Sequence, residues 1–273
     1  MDTVFLTYSA IVAYTAAFTL TAITLNPNRA DRVLPCRHWY CFGLGLVAVF
    51  IHTITVLKAN NFGQDINFSL LHAMSLVMLV TNTLVIATTL TRPAEQLGVV
   101  TYPLTAIVLI LVECVAEPTR ALHNPSFGMS AHILSSLLAF SFLGIAAIQA
   151  TLLYIQDACL RRRNFRSLIL NALPSLESME TLMFRLIGLG LLFLTLSLAS
   201  GFLFLDDMFA QHLAHKTILS ILAWVIFGIL MMGRARLGWR GITAIRWTLI
   251  GFFSLLLAYL GSKFVIELIL KRH

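Results

Sequence analysis

The residues in this chain best suited to chemistry are histidines. Of eight, three stand in or at the mouth of long apolar runs. His52 lies in "FIHTITVL", His72 in "INFSLLHAMSLVMLV" and His132 at the head of "AHILSSLLAFSFLGIAA". A neutral imidazole offers one lone-pair nitrogen and one N–H, so it can ligate a metal ion or pass a proton. In a lipid-embedded segment such a polar ring is costly unless it finds a partner. Several at one depth therefore suggest a ligand site, with Met74 and Met78 beside His72 as adaptable neighbours.

Other reactive constellations are sparse. The sequence contains no HExxH, no GxSxG and no phosphate-cradling glycine loop, which sets aside metalloproteolysis, serine hydrolysis and phosphoryl transfer. Glu113 and Glu267 are the acids well inside apolar runs, and neither has an evident carboxylate mate. The four cysteines form neither CxxC nor CxxCH, so dithiol exchange and covalent haem attachment to this chain are unsupported. Cys36 and Cys41 bracket a short loop, but a tetrahedral zinc site needs four ligands and no second pair is near. No recognisable catalytic constellation remains, and no enzyme activity is expected.

The elements that position the histidines follow from composition. The chain is 59% hydrophobic and 11% charged, against about 25% charged in soluble domains. About twenty apolar residues at 1.5 Å each cross a bilayer core of about 30 Å. That rule yields eight spans, near 3–25, 39–58, 67–91, 96–116, 130–155, 182–204, 213–232 and 242–267. The expected fold is all-α, a single polytopic membrane domain over residues 1–273. The first run lacks a basic n-region and reads as a membrane helix rather than a cleaved leader. The longest connection, 156–181, is expected to carry a short amphipathic helix at the membrane surface. Gly188, Gly190 and Gly201 in the sixth span suit close helix packing.

Orientation comes from the bases. The connections "NPNRADRVLPCRH", "RPAE", "RRRNFRSLILNALPSLESMET" and "GRARLGWRG" hold most of the arginines, while "ANNFGQDIN", "EPTRALHNPSFG" and "DDMFAQH" are poor in them. The positive-inside rule places the former in the cytoplasm and both termini outside. The net charge of +7 is thereby explained without nucleic acid. On this topology only His38 is cytoplasmic. His52 and His72 lie about 9 and 8 Å inside the outer ends of their helices, at 1.5 Å per residue. His132 begins its helix at the outer face. His123, His212 and His215 sit in or beside outer connections, where an interfacial role is the ordinary expectation.

At the level of motifs the chain resembles the cytochrome c assembly family of membrane proteins (the CcsA/ResC type). The features are the "HKTILSILAW" helix of residues 215–224, the Gly238-Trp239-Arg240-Gly241 loop and the Tyr259-Leu260-Gly261 ending of the last helix. The His132-led helix resembles the family's H-x-x-x-S-L-x-x-Y helix, with Phe140 at the tyrosine position. Residues 50–57 and 66–80 resemble its second and third helices. The run "LPSLESMETLMFRLIGLGLLFLTLSLASGFLF" fits the YpjD branch, a bacterial inner-membrane group. The resemblance implies haem handling toward the periplasm, with His132 matching the first periplasmic histidine and His52 a histidine of the second helix. Two departures stand out. The connection between spans six and seven carries no tryptophan, whereas the haem-ligating members have a WWD segment there. The histidine that precedes the GWRG loop in those members is replaced near Met232.

The combined expectation is an inner-membrane protein that binds haem b near the periplasmic face, for haem handling or cytochrome c assembly. His52 and His132 are the axial candidates, with His72 or Met74 able to substitute for one of them. Lys58, Arg120 and Lys216 are candidate propionate partners. The expected partners are the lipid bilayer, haem and other membrane proteins of cytochrome maturation. The competing expectation is a scaffold, or a small-solute or quinone-binding protein, that kept the fold without haem.

Overall fold

The computed structural model describes residues 3–25, 37–60, 65–67, 69–91, 94–115, 121–123, 126–162, 173–204 and 214–261. Eight helices among them are long and apolar enough to cross a membrane. They are α1 (Thr3–Leu25), α2 (Arg37–Ala59), α3 (Leu70–Thr91), α4 (Gly98–Cys114), α5 (Phe127–Arg161), α6 (Leu176–Phe204), α7 (Ala214–Leu237) and α8 (Ile242–Leu256). A 3₁₀ turn, Glu95–Leu97, leads into α4, and a π turn, Leu257–Gly261, prolongs α8. The chain is a multi-pass membrane protein, as its hydropathy predicts. Large apolar side chains such as Phe5, Phe202 and Leu203 remain exposed on the helices, as lipid-facing residues do.

Two features differ from the sequence expectation. A pair of three-residue strands, β1 (Asp65–Asn67) and β2 (Ala121–His123), forms an antiparallel ribbon that joins the α2–α3 and α4–α5 connections. Helix α5 also runs on past the expected limit to Arg161. Its last turns are polar rather than broken: Arg161 Nε donates to Asp157 at 2.8 Å one turn back, the i, i+4 arrangement that supports a helix. The expected surface helix of 156–181 is therefore taken up at its ends by α5 and α6, and 163–172 lie outside the described residues.

The helices sort into two compact units, Met1–Asn124 with Gln156–Ser175, and Pro125–Ile155 with Leu176–His273. In the first unit α1 is central, packing on α2 and α4. Its buried face is Ala10, Ala13, Tyr14 and Ala17. Small residues at this spacing let backbones approach closely, the usual basis of helix association in lipid. Four of the α1 threonine hydroxyls are satisfied without interhelical partners. Thr7, Thr15, Thr19 and Thr21 each donate to a carbonyl three or four residues back.

In the second unit α5 lies against α6. A methyl group on Gly190 would come within 2.6 Å of the Leu143 side chain, so glycine is what allows this approach. Phe142 and Phe193 stack at 5.7 Å beside it. Helix α7 is tied to α6 by Trp224 Nε1, which donates to Thr195 Oγ1 at 2.8 Å. Helix α8 is tied to α7 by Ser254 Oγ, which donates to the Leu219 carbonyl at 3.1 Å. Phe140 contacts the rings of Phe252 and Tyr259 at 5.4 and 5.1 Å.

Candidate functional site

His132 sits in the second turn of α5, half-buried. Its Nδ1 lies 2.9 Å from the Ser197 carbonyl of α6. A carbonyl can only accept, so Nδ1 carries the proton and Nε2 keeps the lone pair. Ser200 Oγ donates to the same carbonyl at 3.0 Å and lies 3.5 Å from Nδ1. The ring is thus held by its back nitrogen, while Nε2 forms no hydrogen bond among the described residues. Imidazoles that ligate metals are commonly held this way, because the back-side bond fixes tautomer and orientation. Gly128, at the start of α5, lies against the Phe204 ring, and a Cβ there would collide with it. The pairing of α5 with α6 therefore persists to the end where His132 sits.

His215, near the start of α7, belongs to the same unit. Its Nε2 is buried and has no partner among the described residues. Sequence reasoning had treated it as interfacial, because a histidine at a helix mouth carries no sign of where its nitrogens point. An orphaned imidazole nitrogen in a buried setting is uncommon and is chemically a vacant donor for a metal. Each of the two histidines presents an imidazole nitrogen, the donor type that haem iron takes.

His52 is fully buried in the first unit, and both of its nitrogens are engaged. Tyr14 Oη lies 3.2 Å from Nδ1 and Ser75 Oγ 2.9 Å from Nε2. Tyr14 also meets the imidazole edge-on, with ring centroids 5.7 Å apart. The residue ties α1, α2 and α3 together, and ligating iron would require giving up one of these bonds. His72, in the first turn of α3, uses Nδ1 on Ser69 Oγ at 2.8 Å. Met74 follows it, half-buried. His52 and His72 fall in one unit and His132 in the other, and each is described within its own. Among the described residues no group of three or more His, Cys, Asp or Glu side chains could hold a metal ion. His212, Arg120 and His273 lie outside the described residues.

The loop that carried the family resemblance has a clear structural basis. Gly238 and Gly241 adopt φ of 67° and 57°, a region L side chains rarely enter. Between them Trp239 folds back, its N–H bonding to the Gly233 carbonyl at 3.2 Å and its ring tilted on Trp247 at 5.4 Å. Gly233 leaves room for that ring, since a Cβ there would lie 2.5 Å from it. Glu180, at the start of α6, clamps the turn. It accepts from Arg234 at 2.9 Å, from Arg240 at 3.2 Å and from the Gly241 N–H at 3.3 Å. Sequence reasoning missed Glu180. The one available signal was a carboxylate just inside an apolar run, facing the arginines of a loop more than fifty residues away.

These features define a polytopic protein of the cytochrome c assembly class. A family model described as "Cytochrome C assembly protein" matches residues 39–270, and the chain belongs to that family. Among individual relatives, the chain is 31% identical over 228 residues to "Inner membrane protein YpjD" of Escherichia coli (strain K12), covering 82% of this chain and 85% of that protein. It is 28% identical over 93 residues to "Cytochrome c biogenesis protein CcsA" of Gloeobacter violaceus, covering 33% and 28%. A similar partial match, 28% over 98 residues, is made to CcsA of Trieres chinensis, covering 35% and 31%. No solved structure matches the chain.

Proposed function

We propose that this chain is a multi-pass protein of the bacterial inner membrane that binds haem b on its periplasmic side, in haem handling for cytochrome c assembly. Family membership and the partial likeness to CcsA support the haem-related role. The arginine distribution supports the orientation, with both termini outside.

The observation that carries the site is the His132 tautomer. With Nδ1–H held by the Ser197 carbonyl, Nε2 is left as a directed lone pair. His215 Nε2 is the second donor we favour within that unit. His52 and His72 are the alternatives, and His52 is the less available because its two nitrogens are already bonded. Haem, when bound, would supply redox and ligand-exchange chemistry at iron, while the chain sets ligation, burial and access. Its role is to bind and pass on the cofactor rather than to turn over a substrate.

The test is the absorption spectrum of the detergent-purified protein, oxidised and reduced, before and after haem addition. The wild type should show a b-type Soret band that is lost in His132→Ala and diminished or shifted in His215→Ala. If haem survives in His132→Ala but is lost in His52→Ala, the ligand lies in the first unit. A wild type that stays colourless after haem addition replaces this reading with the scaffold. The satisfied state of His52 already favours a scaffold-like role for that residue.

A further inference from the structure

The first unit contains a cavity of about 210 Å³ that the haem reading does not use. Its walls come from one end of four helices: the start of α1 (Thr3, Thr7), the end of α2 (Thr55), the start of α3 (His72, Ser75) and the end of α4 (Glu113). Leu109 and Val112 supply an apolar wall. This is the end at which the β1–β2 ribbon joins the connections, away from the arginine-rich ones. Glu113 forms no ion pair or hydrogen bond among the described residues, and His72 Nε2 forms none either. An ionisable side chain kept without a protein partner in a membrane span marks a functional site by default. Here Glu113, which has none among the described residues, and His72, whose Nδ1 is held by Ser69, line the same space.

The ligand's chemistry follows from the lining. The cavity's acidic and imidazole groups number too few for a metal site, since no group of three His, Cys, Asp or Glu occurs among the described residues. For scale, an engineered cavity of about 150 Å³ in another protein holds benzene. This one has room for a substituted six-membered ring and groups for its oxygens. Ser75 is shared: it lines the cavity, and its Oγ bonds His52 Nε2, whose Nδ1 meets Tyr14. An oxygen placed beside Ser75 would adjoin a hydrogen-bonded Ser–His–Tyr chain leading into the bundle.

We propose that this cavity binds the head group of a membrane-soluble quinone or quinol. His72 and Glu113 are the partners of its ring oxygens, and the tail leaves toward lipid. A quinol hydroxyl donates to the Glu113 carboxylate, and a quinone carbonyl accepts from the His72 N–H. The site lies within the first unit and does not depend on haem at His132.

The experiment titrates the full-length protein in detergent with decylubiquinone and with decylubiquinol by calorimetry, alongside cross-linking by an azido-quinone read by peptide mapping. The expected result is saturable binding with one site per chain and label confined to the α1, α2, α3 and α4 peptides. His72→Ala should weaken decylubiquinone binding and Glu113→Ala decylubiquinol binding, each about tenfold, a loss of about 1.4 kcal/mol. Val112→Trp should fill the cavity and abolish binding while leaving the melting temperature near wild type. His132→Ala should bind quinone normally even if haem is lost, which separates the two readings. The proposal is overturned if the wild type binds no more tightly than Val112→Trp, or if the label spreads evenly over the helices.

Discussion

Replacing Glu180 with alanine should open the turn between α7 and α8. The carboxylate is 10% exposed and accepts from three donors, which do not count equally. The Arg234 pair, with that arginine 30% exposed, should contribute about 1.5–2 kcal/mol as a charge-assisted bond in a partly buried place. The Arg240 side chain is 57% exposed, so its pair is worth about 0.5 kcal/mol at most after screening. The 3.3 Å contact from the Gly241 N–H adds about 0.5 kcal/mol. The sum is about 3 kcal/mol. Arg234 keeps the Trp239 carbonyl at 3.2 Å and the Phe184 face at 4.6 Å, which limits the loss. At about 2–4 °C per kcal/mol for a chain of this size, recovery of monodisperse protein after heating should fall by about 6–12 °C in apparent midpoint. Trypsin should cut faster at Arg236 and Arg240. Glu180→Gln should lose roughly half as much, because its amide oxygen still accepts while the charge is gone. A Glu180→Ala midpoint within about 1 °C of wild type, with unchanged proteolysis, would refute the reasoning. The turn would then be held by its glycines and tryptophans alone.

Tyr14→Phe should cost about 1 kcal/mol, the net value of its bond to His52, read as a small drop in the same heating assay. His52→Leu should cost more, because it strands the hydroxyls of both Tyr14 and Ser75. Gly190→Val should lower the midpoint by several degrees, since its side chain must displace Leu143 and overpacking costs about 1–3 kcal/mol. Gly238→Ala should destabilise by about 1 kcal/mol for its left-handed backbone, measured as faster tryptic cleavage at the neighbouring arginines.

The eight spans were legible because twenty-residue apolar runs leave few alternatives. The α5 terminus was not, because Gln156 and Arg161 are polar yet good helix formers and Asp157 pairs with Arg161 one turn on, and hydropathy marks where lipid ends rather than where a helix does. The candidate imidazoles were legible as residue types. What each one touches was not: His52 meets Tyr14 and Ser75 on other helices, and an apolar helix gives little sign of its rotation. Glu113 was visible as an intramembrane acid, but its sharing of a cavity with His72 depends on how α3 and α4 pack. The glycines of the GWRG loop could be noticed by resemblance, whereas the need for them lies in two backbone angles and one tryptophan ring.

The β1–β2 ribbon has a consequence for biosynthesis. Its two strands sit in connections separated by α3 and α4, so they can pair only if those helices cross the bilayer an even number of times. The ribbon is in effect a parity check on insertion, independent of any count of charges. At about 5–20 residues per second of synthesis, β1 waits several seconds for its mate. If one of the two helices failed to cross in that interval, the strands would end on opposite sides of the membrane, unpaired.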